Sequence, residues 1–343
     1  MKKIMYILLG VIMLTLTPSI VKAETTNTST QMTTTIAGTE FTYQFHGNST
    51  DKVDIVKVSN AGEKLVFPAK LDGYSVYRIG GNTDDTSLQW DESSKKVKKV
   101  IIKKGIKEIG FSAFETHRLQ DVSNIESVFI PKSVKKISSC AFAFNKKMKV
   151  ITIRNSNVKI GTDAFVGCKK LKKINWPKDE FTGEIGISAF SHCDLRSLYI
   201  PYMKSKKQIG RFAFSGNKKL KKITFSNEYT NVSVGKDWFT DCPKSQIVVG
   251  KNAKTFSSKV NGNAGSVRLL GAQTKLKGFK KPMDVPYYYI QYKKFIVPKG
   301  SKAFKVLKNA KYGKVNDSGE ERYSADGNNY FGSVMKKVKI VIR

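Results

Sequence analysis

Six times between residues 109 and 239 the chain returns to the pattern Ile-Gly-x-x-Ala-Phe: "IGFSAF" (109–114), "ISSCAF" (137–142), "IGTDAF" (160–165), "IGISAF" (185–190), "IGRFAF" (209–214) and "VGKDWF" (234–239). The closing ring recurs at Phe114, Phe142, Phe165, Phe190, Phe214 and Phe239, 23–28 residues apart. A unit of that length cannot bury its own apolar edge, so neighbouring copies must do it, and the chain must wind into a stack of coils. The Phe then fills the interior, and Gly allows a tight corner where a side chain would clash.

A second element accompanies each copy: "VKKVII" (97–102), "IESVFI" (125–130), "MKVITI" (148–153), "LKKINW" (171–176), "LRSLYI" (195–200) and "LKKITF" (220–225). Apolar residues at its first, fourth and sixth places suit a strand entered from a turn, with the fourth and sixth side chains pointing inward. Stacked in register, these strands make a parallel sheet. Its outward row reads Phe129, Thr152, Asn175, Tyr199 and Thr224. Phe129 and Tyr199 there suit contact with a protein or sugar, and equally they are good strand formers.

Three residues after each Phe stand His117, Asn145, Cys168, Cys193, Asn217 and Cys242. One equivalent position per coil forms a ladder along the axis, where Asn can hydrogen-bond loop backbone and Cys fits as a small buried group. A disulfide between Cys168 and Cys193, or a metal site, is the alternative in an exported protein, though no CxxC pair occurs and the ligand-like residues are spread one per coil. The fourth cysteine, Cys140, reads as another small buried residue.

"IPKSVKKISSCAF", "IGTDAFVGCKKLKKI" and "IGRFAFSGNKKLKKI" resemble the BspA-type leucine-rich repeat of bacterial surface and secreted proteins. The resemblance covers residues 97–262, six units, and a period of 23–25 is that of leucine-rich-repeat solenoids. It implies a β-rich solenoid of parallel stacked strands joined by short helical or irregular turns, closed by β-rich terminal caps. It also implies an adhesin or binding scaffold with no universal active-site residues and no cofactor. Upstream, "KLVFPAKLDGYSVYRIGG" (64–81) resembles a unit that opens such arrays; downstream, "FIVPKGSKAFKVLK" (295–308) resembles one that closes them.

Around this core the sequence divides as follows. Residues 1–23 have the basic start, apolar run and small-residue end of an export signal. Residues 24–40, rich in Thr and Ser, read as a flexible leader, and 41–96 as an N-terminal β cap with a degenerate first repeat. Residues 263–343 form a basic, aromatic, β-rich C-terminal region. Tyr312, Tyr323, Tyr330 and Phe331 lie there among lysines, so it reads either as a cap or as a second polyanion-binding surface.

Charge narrows the partner class. With 61 Lys+Arg against 27 Asp+Glu, the formal net charge of the 343 residues is +34. The lysines recur in register: Lys146, Lys147 and Lys149; Lys169, Lys170, Lys172 and Lys173; Lys218, Lys219, Lys221 and Lys222, with Lys98 and Lys99 in the first unit. They read as basic rows along one edge of the sheet. Such rows serve either as a solvated surface or as contacts to an anionic polymer such as wall polymer, acidic glycan or host matrix.

Enzyme signatures are missing: no GxSxG, HExxH, Walker loop or dinucleotide fingerprint occurs, and the three histidines are His46, His117 and His192. The adjacent acids Asp84–Asp85 and Glu320–Glu321 carry no catalytic pattern. The reading is a secreted, non-enzymatic scaffold that needs no metal or integral membrane anchor. It attaches electrostatically to an anionic surface and offers the solenoid to a host or bacterial surface protein. The alternative is an extracellular protein that binds nucleic acid without sequence preference.

Overall fold

The computed structural model describes residues 30–83, 86–116, 123–177, 180–235, 237–258, 264–277, 292–309 and 339–342. Among them each coil contributes one longer strand, one short strand and a turn-rich segment, and each of the three is hydrogen-bonded to the next coil. The longer strands form a column in two parallel ladders. The first holds Lys64–Phe67, Lys99–Ile102, Ser127–Ile130, Val150–Ile153 and Lys173–Asn175; the second begins at Ser197–Ile200 and Lys222–Phe225. Register is strict, so Val128 faces Ile151 and Phe129 faces Thr152. Alternation then puts Val128, Ile130, Ile151 and Ile153 inside and Phe129 and Thr152 outside.

The short strands form the opposite column. Glu108–Ile109, Lys136–Ile137, Lys159–Ile160 and Glu184–Ile185 pair in parallel and turn one isoleucine each into the core. A glycine follows three of them, and its φ is not the reason. A Cβ on Gly186 would stand 2.5–2.7 Å from backbone atoms of Gly161 and Thr162, so the coils stack too closely there for a side chain.

The turn-rich segment demands the unusual backbone instead. The residue two before each Phe has positive φ: Ser112, Cys140, Asp163, Ser188, Phe212 and Asp237, at 47–64°. The left-handed conformation lets the first five Phe N–H groups reach the next coil, as Phe142 N–H does to the Ala164 carbonyl at 2.8 Å. Cys140 is therefore a half-buried turn residue rather than a buried core group.

Between the columns the six Phe rings stack. Centroids of Phe114, Phe142, Phe165, Phe190, Phe214 and Phe239 follow one another at 4.7, 5.1, 5.0, 5.7 and 5.8 Å. The first four contacts are within 7° of parallel. Each ring is wholly buried. Burial of one Phe contributes about 1.5–3 kcal/mol, and an aromatic contact adds roughly 0.5–1.5 kcal/mol, so this stack adds several kcal/mol to the packing of coil on coil.

Both ends depart from the sequence boundaries. The stretch 24–40 was expected to be a flexible leader, yet Met32–Ile36 is a strand pairing antiparallel with Thr39–Phe45. Its β-branched threonines suit a strand at least as well as a linker. At the other end, Ala264–Leu269, Tyr292–Val297 and Lys339–Ile342 extend the second ladder in parallel register. The solenoid thus continues past residue 262, with Val267, Leu269, Phe295 and Val297 turned inward. The repeat fades by eye because these coils drop the Ala-Phe turn while keeping strand alternation. An α-helix, Lys302–Asn309, also forms where only strands were expected; Ser301 Oγ caps it by accepting from Phe304 N–H at 3.1 Å. Residues 1–23, His117, Asp84, Asp85, Tyr312, Tyr323, Tyr330, Phe331, Glu320 and Glu321 lie outside the described residues. Among those described, no helix is long and apolar enough to cross a membrane.

Candidate basic binding surface

The ladder positions organise the turn on which the lysines sit. Asn145 donates to the carbonyls of Phe114 and Phe142 at 2.6 and 2.9 Å, and Asn217 to those of Phe190 and Phe214 at 2.9 and 2.8 Å. The thiols of Cys168, Cys193 and Cys242 make the same reach to Phe142, Phe165 and Phe214, at 3.3, 3.2 and 3.4 Å. All three are free thiols, so Cys168 and Cys193 are neighbours without a disulfide. Burial pushes the Cys193 thiol well above its ordinary range and the Cys242 thiol up to about 12. The described residues include two imidazoles, His46 and His192. His46 Nδ1 lies 2.9 Å from the buried Asp54 carboxylate, which also pairs with Arg78. His192 is exposed on a positive-φ turn. Among the described residues no group of three or more His, Cys, Asp or Glu side chains could hold a metal ion.

After Asn145, Cys168 and Asn217 the chain passes through two exposed lysines into the strand, whereas Cys193 is followed by the buried Asp194. Backbone hydrogen bonds line up the residue just before each strand: Lys98 N–H bonds the Glu63 carbonyl, Glu126 that of Lys98, Lys149 that of Glu126, and Lys172 that of Lys149, at 2.7–3.0 Å. Arg196 N–H continues to Lys172 at 3.5 Å and Lys221 to Arg196 at 2.9 Å. One column therefore reads Glu63, Lys98, Glu126, Lys149, Lys172, Arg196, Lys221.

Its two halves differ. In the first, signs alternate: Lys98 pairs with Glu63 at 2.5 Å and Lys149 with Glu126 at 2.7 Å. The bond to Glu63 raises the Lys98 pKa, and the bond from Lys149 lowers that of Glu126. In the second half no acid stands in the column, and Lys172, Arg196 and Lys221 have no ion pair among the described residues. Flanking them, Lys169, Lys170, Lys173, Lys218 and Lys222 are exposed and equally unpaired. Lys219 alone is answered, by Asp194 at 3.0 Å. Lys146 is exposed and has no ion pair among the described residues, while Lys147 is held by the Asn124 side chain.

Arg196 was absent from the lysine pattern, though its place in "LRSLYI" is that of Lys172 and Lys221. Its position in the repeat, not its residue type, places it in the column. Coils lie about 4.8 Å apart, so neighbouring cations in this half repel one another with no acid between them in the column.

The outward strand row is contiguous within each ladder but not between them. Phe129, Thr152 and Asn175 stand in register, and Asn175 Nδ2 donates to Thr152 Oγ1 at 3.0 Å. Tyr199 and Thr224 stand in register in the next ladder. Phe129 is 37% and Tyr199 45% exposed, and the Arg154 guanidinium lies 5.9 Å from the Phe129 ring centroid.

Solved structures that overlap the chain include a leucine rich cell surface protein from Faecalibacterium prausnitzii A2-165, 16% identical with a TM-score of 0.39, over 78% of this chain and 89% of that one. A leucine rich repeat protein of T. pallidum is also 16% identical, with a TM-score of 0.38 over 64% and 82%. The pneumococcal vaccine antigen PcpA is 16% identical with a TM-score of 0.28 over 82% and 97%. No curated protein matches the chain. The family described as "BspA type Leucine rich repeat region" matches residues 92–206 and 135–268 in six copies, together more than half of the chain. With its coil period, Phe stack and Asn/Cys ladder, the chain belongs to the BspA-type leucine-rich-repeat family.

Proposed function

We propose that this protein is an exported, non-enzymatic binding scaffold whose basic surface holds it on an anionic polymer of a cell wall, acidic glycan or matrix. The observation carrying this reading is the split column: acids neutralise it as far as Lys149, then leave Lys172, Arg196 and Lys221 uncompensated. A surface built only for solubility gains nothing from concentrating one sign. A linear polyanion laid along the axis relieves the repulsion at successive coils and displaces its own counterions. Membership in a repeat family with cell-surface members supports the scaffold role. The outward row around Phe129 and Tyr199 is the surface we assign to a protein partner.

The test is retention of the purified protein on bacterial cell walls before and after their anionic polymers are stripped, across a salt series. Binding that falls on stripping and weakens steeply with salt supports the reading. Indifference to walls, together with salt-sensitive binding of DNA, replaces it with the nucleic-acid alternative.

A further inference from the structure

At the opposite end of the longer strands from the lysine turns, between Tyr202 and Ser233, the surface opens into a cavity of about 230 Å³. Its floor is apolar, made by Met203, Phe225 and Trp238. Its aromatic wall is locked in place. Tyr229 Oη donates to the Pro201 carbonyl and accepts from Met203 N–H, both at 3.0 Å, and its ring packs edge-on to Phe225 and Tyr202. The rim is polar and cationic. Lys206 has no ion pair among the described residues, whereas Lys204 reaches Glu180 at 3.5 Å. Ser233 Oγ accepts from Ser257 at 3.1 Å, which leaves its own proton for another acceptor, and Asn231 accepts from Thr255 at 2.7 Å and donates to Thr230 Oγ1 at 3.4 Å, which leaves its second amide proton as a donor.

We infer that this cavity binds a single acidic sugar residue, a hexuronate or similar carboxylated pyranose. The volume lies below the usual range for larger small-molecule ligands, which restricts the occupant to about one ring. Tyr202 and Tyr229 meet at 64° rather than lying parallel, so they form a corner and not the slot in which a planar base would be sandwiched. A pyranose fits that corner: its C–H face lies on a tyrosine, its hydroxyls meet Asn231 and Ser233, and its carboxylate meets Lys206. Tyr229 is held by backbone hydrogen bonds before any ligand arrives, so little ordering of that side of the wall accompanies binding. The cavity is separate from the lysine column, and either site can fail without the other.

The experiment titrates the full-length protein with D-glucuronate, D-glucose and inorganic phosphate, followed by saturation-transfer NMR and tryptophan fluorescence, since Trp238 lies in the floor. Glucuronate is expected to bind saturably, with glucose at least about fivefold weaker and phosphate failing to compete. Tyr202→Ala should weaken both sugars about tenfold. Lys206→Gln, an exposed change that spares the fold, should abolish the preference for glucuronate while leaving glucose binding intact. The double variant Lys172→Gln/Lys221→Gln should alter neither sugar. Non-saturable glucuronate binding overturns the inference. So does equal competition by phosphate, or binding that ignores Tyr202→Ala and Lys206→Gln and is lost with the lysine column.

Discussion

Asn217 donates its side-chain amide to the carbonyl of Phe190, 2.9 Å away and one coil back, while the same nitrogen closes its own turn on Phe214 at 2.8 Å. Its Oδ1 accepts from Leu195 N–H at 3.2 Å. Three backbone groups that would be buried without partners are answered by one side chain, and two neighbouring coils are tied together. Asn217→Ala should therefore cost about 2–4 kcal/mol in urea unfolding, one to three kcal/mol for polar groups left unsatisfied plus lost packing. Asn217→Cys should cost distinctly less, because the thiols of Cys168, Cys193 and Cys242 already make this reach. Equal losses for the two variants would show that the hydrogen bonds contribute little.

The ladder thiols should be chemically silent. At pH 8 iodoacetamide is expected to leave Cys168, Cys193 and Cys242 unmodified in the native protein and to label all three after denaturation, as read by peptide mass spectrometry. The sign of the pH dependence follows from the raised pKa of Cys242. Between roughly pH 9 and 12 an unfolded chain loses a thiol proton that the fold retains, so stability falls as pH rises through that window. Cys242→Ala should reduce this slope relative to the parent protein; an unchanged slope assigns it to other groups.

Coil spacing is tested by glycine. Gly186→Ala places a methyl group 2.5–2.7 Å from the backbone of the preceding coil and should destabilise by about 1–3 kcal/mol or more. Gly62→Ala meets nothing within 4 Å and should stay within about 0.5 kcal/mol. Similar thermal midpoints for the two variants would contradict the close stacking of the coils.

Position, not net charge, should govern polymer binding. Lys98→Gln/Lys149→Gln and Lys172→Gln/Lys221→Gln remove two charges each. The first pair is already occupied by Glu63 and Glu126, so its removal should change wall retention little. The second should lower the midpoint salt concentration for release markedly. Equal effects would reduce the surface to diffuse attraction.

The sequence by itself determined the coil. The Phe spacing, the apolar alternation of the strands and the Asn/Cys position are dictated locally, because each repeat presents the same buried places to the next, and equivalent residues must stack. That is why the ring stack at 4.7–5.8 Å and the hydrogen bonds of Asn145 and Asn217 were legible as letters. Gly186 was legible as a tight place too, but its cause, backbone against backbone across coils, was not. Tertiary structure alone decided which charges are free. Lys149 and Lys172 look alike in sequence, yet one lies against Glu126 from the preceding coil and the other beside Arg196. It also decided where the solenoid stops being a repeat without ceasing to be a solenoid, since Ala264–Leu269 and Tyr292–Val297 keep the ladder through backbone groups that every residue carries. The cavity between Tyr202 and Tyr229 belongs to the same class. It is assembled from residues a full coil apart, and nothing in the spacing of either stretch announces that they share a wall.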